Sequence, residues 1–176
     1  MEAAEHPYVR LARDAIRRYL ESGEVEVPPG EFDDAPAQGV FVSLHERSGD
    51  EEGPLRGCVG SVRPREKTLA HEIARSAVAA AVADPRFPPL RLDEVDDLEV
   101  TVYLLGEPEP VHGLDDLDPH RYGVIVEGPD GRTGLLLPAI PGIDDAATQV
   151  SIARRKAYLS PDDPIRLYRF EAEIVR

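Results

Sequence analysis

The sequence predicts an α+β fold with a mainly antiparallel β-sheet and about three flanking helices. Three observations carry that prediction. Apolar periodicity marks three helical stretches that do not alternate strictly with the strands. The strands come in pairs joined by turn-rich segments, as hairpins do. No glycine-rich phosphate loop follows the first strand, as a doubly wound fold would want. The 176 residues fit one domain or two tightly fused subdomains, and the whole chain is read as a single domain.

Residues 7–22 form the first helix. Pro7 suits its first turn, where a missing N–H costs nothing. Val9, Ala12, Ile16, Tyr19 and Leu20 make one apolar stripe, and Gly23 is the stop. Residues 25–38 hold Pro28, Pro29, Gly30 and Pro36 and read as a loop. Residues 39–45, rich in Val and Phe, are a strand, and residues 55–62 are its return. The polar, acidic residues 46–54 between them read as a long exposed connection. Thr68 caps a second helix over residues 69–83. The later part of that helix, from Ser76 to its end, is small and apolar all round, the pattern of a buried helix. Asp84-Pro85 ends it, because the residue before proline avoids helical geometry. Residues 98–105 alternate apolar and polar as a strand does. Residues 122–127 and 132–137 flank Gly128-Pro129-Asp130-Gly131, in which proline presets one φ and glycine takes a positive one. A third helix covers residues 145–158, with Val150, Ala153 and Ala157 inward and Arg154-Arg155-Lys156 complementing the dipole at its end. Residues 165–175 are one closing strand, with Tyr168, Phe170, Ala172 and Ile174 on one face.

Composition narrows the function. The net charge of −14, from 34 acidic against 20 basic residues, argues against nucleic acid, since phosphate binding needs a basic face. Acidic membrane surfaces are disfavoured for the same reason. No apolar run approaches the length of a membrane span. The start, Met1-Glu2-Ala3-Ala4-Glu5-His6, lacks the basic-then-apolar pattern of a secretory signal, so the cytoplasm is the expected location. Cys58 is the single cysteine, which excludes an internal disulfide and a Cys-rich zinc site. A third ligand such as His71 or Asp84 would have to join His45 and Cys58 to hold a metal. No tight ligand spacing supports that, so no metal or cofactor is assigned. His112 and His120 sit in polar loop sequence and read as solvated. The acidic pairs Asp33-Asp34, Asp96-Asp97, Asp115-Asp116 and Asp144-Asp145 read as solvated surface.

The distinctive segment is Leu55-Arg56-Gly57-Cys58-Val59-Gly60-Ser61. Two glycines so close together in a strand mark a bulge or a close backbone approach. Cys58 is then either a thiolate, its pKa lowered by Arg56 or by amides freed at a bulge, or a small buried hydrophobe. The hairpin sets His45 near Gly57 and Leu44 near Cys58. A one-residue slip would put His45 beside Cys58 as a base, whereas the alternative is a strand histidine at the edge of solvent. The second unusual stretch, Asp84-Pro85-Arg86-Phe87-Pro88-Pro89-Leu90, also has two readings. It is a stiff turn with Phe87 in the core and Arg86 paired to Asp84, or a rim on which Arg86 and Arg56 clamp a carboxylate or phosphate.

The segment from Leu55 to Ser61 resembles the Leu-Arg-Gly-Cys-Ile-Gly-Thr signature of the AMMECR family, with Val59 and Ser61 as conservative departures. Further stretches agree in the family's order: Gly39-Val40-Phe41-Val42-Ser43-Leu44, the stretch from Asp84 to Leu90, Gly134-Leu135-Leu136-Leu137-Pro138, residues 149–157 and Leu167-Tyr168-Arg169-Phe170. Tyr158-Leu159 stands where a Gly-Ile pair is common in the family. The resemblance implies a compact α+β protein with a larger and a smaller subdomain. It also implies the bacterial and archaeal AmmeMemoRadiSam branch, which co-occurs with a Memo-like protein and a radical SAM enzyme. It supplies no reaction and leaves the oligomeric state open. The resulting expectation is an accessory or binding protein with a ligand or partner groove around Arg56, Gly57, Gly60, Ser61, Asp84 and Arg86. The alternative is an enzyme with Cys58 as nucleophile and His45 as base, and a third reading makes the protein a substrate of a radical enzyme.

Overall fold

Apolar faces are buried in two separate compact units of the computed structural model, which describes residues 5–29, 32 and 35–176. The first unit takes Met1–Leu105 with Glu173–Arg176, and the second takes Gly106–Ala172. Met1 to Ala4, Gly30 and the Asp33-Asp34 pair lie outside the described residues. In chain order the elements are α1 (Pro7–Ser22), β1 (Gly39–Ser48), β2 (Glu51–Ser61), α2 (Leu69–Val82), β3 (Leu98–Leu105), β4 (Glu109–Val111), β5 (Gly123–Glu127), β6 (Thr133–Leu136), α3 (Ala146–Lys156), β7 (Arg166–Phe170) and β8 (Ala172–Val175). One four-stranded sheet runs β2-β1-β3-β8 and the other β4-β7-β5-β6. The pairings of β1 with β2 and β3, of β4 with β7, and of β5 with β6 and β7 are antiparallel. The α+β class with antiparallel sheets, and with three α-helices among the described residues, is therefore the observed one.

In the first unit, both helices follow their sequence signals. The N–H of Tyr8 donates to the His6 side chain at the start of α1, and Gly23 donates back to the Tyr19 carbonyl at its end. Thr68 accepts from the N–H of His71 and so caps α2. Val9, Ala12 and Ile16 of α1 pack with Ile73, Ala77 and Ala80 of α2 against Val40, Val42 and Leu44 of β1 and Val100, Val102 and Leu104 of β3. Tyr19 and Leu20, placed on the α1 stripe, are only half-buried. The alternation of the strands then sends Phe41, Ser43 and His45 of β1 to the opposite face of this sheet.

Two expectations change here. Residues 46–54 are not a long loop: β1 and β2 continue through them and meet at a two-residue turn, Gly49-Asp50. Gly49 has φ +62, as the first position of a type II′ hairpin requires, and Gly-Asp is a sequence that makes one. Residues 165–175 are not one strand either. The run breaks at Glu171, so β7 pairs in the second sheet and β8 in the first.

In the second unit α3 packs its Val150, Ala153 and Ala157 against Val124, Val126 and Leu136. Asp145 caps it by accepting the N–H of Thr148. The β5–β6 turn forms as expected, with Gly131 at φ +82. Tyr158 follows α3 in the left-handed region at φ +57 and is 86% exposed, at the position where the family resemblance leads one to expect glycine.

Candidate functional site

The signature is divided between the two faces of the first sheet. Ser43 lies opposite Cys58 and Phe41 opposite Gly60, so Cys58 and Gly60 share the face of Ser43 and His45. Gly57, Val59 and Ser61 share the helix-facing side with Leu44, Val42 and Val40. A Cβ on Gly57 would lie 2.1 Å from the Ala80 carbonyl oxygen, so this glycine lets α2 approach β2. A Cβ on Gly60 would lie 2.0 Å from the Val40 carbonyl oxygen. The Ser61 hydroxyl donates to the Arg63 carbonyl at 2.7 Å and lies 3.5 Å from Glu72 of α2. Gly57 and Gly60 thus stand at close backbone approaches, and Ser61 is hydrogen-bonded within the chain.

Arg56 is the extra residue of a β-bulge: Leu44 pairs with Gly57 and His45 with Leu55, leaving Arg56 unpaired between them. Its side chain is 9% exposed. It donates to Glu94 through Nε and Nη2, at 3.2 and 3.3 Å, and to the Pro88 carbonyl through Nη1 at 2.9 Å. All three guanidinium nitrogens of Arg56 are engaged within the chain and are not turned out to solvent as Arg86 is. It ties the bulge to the segment after α2 instead.

Asp84, just beyond α2, is the junction of the site. Its carboxylate is 3% exposed and accepts the N–H of Cys58 at 3.0 Å. It also accepts Arg86 Nε at 3.0 Å, Nη2 at 2.8 Å and the Arg86 backbone N–H at 3.1 Å. The Arg86 guanidinium brings the Asp84 pKa down to about 2 against the opposing pull of burial, with the Cys58 and Arg86 amides helping. Arg86 itself is 56% exposed, and its pKa is raised first by the Asp84 hydrogen bonds and in lesser part by Cys58. Asp84 thus aims an exposed cation beside a half-buried thiol. Phe87, expected in the core, is only half-buried, with the Arg86 guanidinium 5.4 Å above its ring, and Leu90 is the core residue of this stretch.

His45 is not the residue paired with Cys58. The register slips the other way, placing Ser43 opposite Cys58 and His45 opposite Leu55. His45 Nε2 lies 2.9 Å from Glu52 Oε1, and Nδ1 lies 3.3 Å from Ser43 Oγ. Thr101, Tyr103 and Glu99 of β3 complete this face, opposite Ser43, Phe41 and His45. Burial raises the Tyr103 pKa, and Cys58 and Glu52 push it in the same direction, which fits all three groups facing one side. Ser43 and Glu52 are additions to the residues read from sequence. Their signal lies in the Gly49-Asp50 turn, which carries Glu52 back along β1.

Two further clusters also escaped the sequence reading. Glu72 of α2 is fully buried and accepts the N–H groups of Arg65 and Glu66 at 2.8 Å each, together with Arg75. Burial raises its pKa, but Arg75 and those two amides outweigh it and leave the pKa lowered. It fixes the chain that follows the signature. In the second unit a cavity of about 470 Å³ is lined by residues including Glu107, Arg121, Tyr122 and Arg169. The two guanidiniums pack on the Tyr122 ring at 4.8 and 4.4 Å, and they carry Glu171 and Glu109 as partners. Among the described residues no group of three His, Cys, Asp or Glu side chains is arranged to hold a metal ion. Among them, too, no helix is long and apolar enough to cross a membrane.

Comparison with known proteins is consistent across nearly the whole chain. The sequence model of the AMMECR1 family matches residues 9–175. A protein of Thermotoga maritima is 45% identical over 174 residues, covering 96% of this chain and 97% of its own. One from Thermococcus gammatolerans is 40% identical, covering 94% of this chain and 86% of its own. A longer protein of Clostridium acetobutylicum is 39% identical, and there the match spans only 34% of its length. The crystal structure of an uncharacterized protein from Pyrococcus horikoshii superposes with a TM-score of 0.84 at 36% identity, covering 95% of this chain and 88% of that one.

Proposed function

This chain belongs to the AMMECR1 family, and on that premise we propose that it is an accessory protein that binds a partner or a small anionic ligand where Arg86 meets Cys58. The single observation behind this reading is the Asp84 junction, which couples the Cys58 amide to the exposed Arg86 guanidinium. A guanidinium fixed on one edge by a carboxylate keeps its outer edge for a second anion, and guanidinium forks suit carboxylates and phosphates. Arg56, held inside by Glu94 and Pro88, supports the site from beneath. The Memo-like protein and the radical SAM enzyme implied by the family resemblance are the partners of this reading. Its test is the affinity of the purified chain for each of those two proteins, with and without Arg86→Gln. A loss of tenfold or more with unchanged circular dichroism is expected. Equal affinity of the two forms counts against Arg86 as the contact, and absence of binding by the unaltered chain counts against these partners.

A second reading, an enzyme with Cys58 as nucleophile and His45 as base, draws support from a different observation. His45 is bonded on both ring nitrogens, to Glu52 and to Ser43, and Ser43 is the residue opposite Cys58. A base oriented by a third group is what nucleophile activation needs.

A further inference from the structure

Glu52, His45 and Ser43 lie in one hydrogen-bonded line across β2 and β1, and the line ends opposite Cys58. We propose that this line is a proton relay that deprotonates Cys58, with Ser43 as the bridge and Glu52 as the group that positions His45. The proposal rests on the second reading of function, Cys58 as nucleophile. The register gives the bridge its place: Ser43 pairs with Cys58, whereas His45, on the same face, pairs with Leu55. Directly opposed residues on one face bring their Cβ atoms to about 4.5–5.5 Å, within reach of a thiol and a hydroxyl.

The chemistry follows from the donors. A Glu52 carboxylate accepts only, so it selects the His45 tautomer with hydrogen on Nε2. Nδ1 then presents its lone pair to the Ser43 hydroxyl at 3.3 Å. In the relay the Cys58 S–H proton passes to Ser43 Oγ as the Ser43 O–H proton passes to His45 Nδ1. Thiol and neutral imidazole become thiolate and imidazolium, and the serine is regenerated. The groups facing His45 favour the product. The carboxyl groups of Glu52 on β2 and of Glu99, which lies opposite His45 on β3, are beside it, and Arg47 farther along β1 opposes them. Tyr103 on β3 and Arg86 lie toward the sulfur, and Arg86 favours the thiolate. Both carboxylates are placed against the imidazole, Glu52 by its hydrogen bond and Glu99 by its position opposite His45, and they act on the thiol through it.

The test is the pH dependence of iodoacetamide alkylation at Cys58, read by mass spectrometry. Because no other thiol is present, the signal belongs to one residue. The unaltered chain should show an inflection at least one unit below the free-thiol value of about 8.5. Ser43→Ala, Glu52→Gln and His45→Gln should each move it upward by about one unit, lowering the rate below the inflection about tenfold. Ser43→Thr, which keeps a hydroxyl, should restore it. A merely structural serine or glutamate would not move the inflection. A low inflection that stays put in Ser43→Ala and Glu52→Gln overturns the relay and leaves the nucleophile reading standing on Arg86. A folded chain that is not labelled, or that labels with the free-thiol inflection, overturns both together.

Discussion

Asp84 carries more of the site than any other single residue. A buried carboxylate is tolerated only when its lone pairs are filled, and here an amide and a guanidinium fill them. Its pKa falls from an ordinary 3.8 to about 2 in the fold, first because of Arg86. A group with a depressed folded pKa stabilises the fold fully above its unfolded value and loses that contribution as pH falls through the folded value. The shift corresponds to about 2 kcal/mol, an upper figure because Arg86 is half exposed and screened. Asp84→Asn should therefore lower stability in urea titrations at pH 7, and the gap to the unaltered chain should close between pH 4 and pH 2. A gap of constant size would assign the loss to packing rather than charge. Cys58, Asp84 and Arg86 were legible in the sequence because unusual residue types stood in unusual company. Ser43 and Glu52 were not, because an ordinary serine and one acid among many gain their meaning only from register. The arginines were ambiguous on the same grounds. Nothing local distinguishes buried Arg56, locked to Glu94, from exposed Arg86.

The elements explain why the signature reads as it does. Gly57 is required by the contact between β2 and α2, where a Cβ would overlap the Ala80 carbonyl. The small residues of α2 answer it from the other side: Ala77, Ala80 and Ala81 are buried against the sheet. Gly57→Ala should destabilise the fold by about 1–3 kcal/mol, the usual result of overpacking a site closed by backbone. The relevant measurement is the urea midpoint, and a change within about 0.5 kcal/mol would mean that α2 shifts freely and that the close approach is not a constraint. Helices α1 and α2 were legible almost to the residue because proline, threonine and glycine mark their ends by mechanisms that do not depend on tertiary context. The β1–β2 hairpin was legible in kind but not in length. Its acidic residues suggested solvent, and an exposed hairpin is as solvated as a loop. The two register shifts that bring Ser43 opposite Cys58 arise at bulges, and sequence alone does not locate them. The closing strand failed for a related reason: its alternation continues through Glu171 although the chain changes sheets there.

At the scale of the whole molecule, charge is the dominant feature. The chain carries a net −14, yet many arginines are already matched, as in Arg13 with Glu5, Arg17 with Asp96, Arg121 with Glu171 and Arg132 with Asp130. Two opposite expectations for salt follow from these facts. Screening weakens exposed ion pairs, which contribute roughly 0–1 kcal/mol each. It also relieves the self-repulsion of the unmatched acids, which acts over longer distances. The Debye length falls from about 30 Å at 0.01 M to about 10 Å at 0.1 M salt, so repulsion is the first to be screened, while pairs in contact at 4 Å or less survive. The thermal midpoint should accordingly rise with sodium chloride, most of the rise coming below about 0.1 M. A midpoint that falls over the same range would show that the arginine pairs, rather than the acidic excess, set the electrostatic stability. Binding through Arg86 should respond in the opposite sense. An exposed cation on a chain of this charge attracts an anion only at short range, and salt weakens that attraction while the fold itself is strengthened.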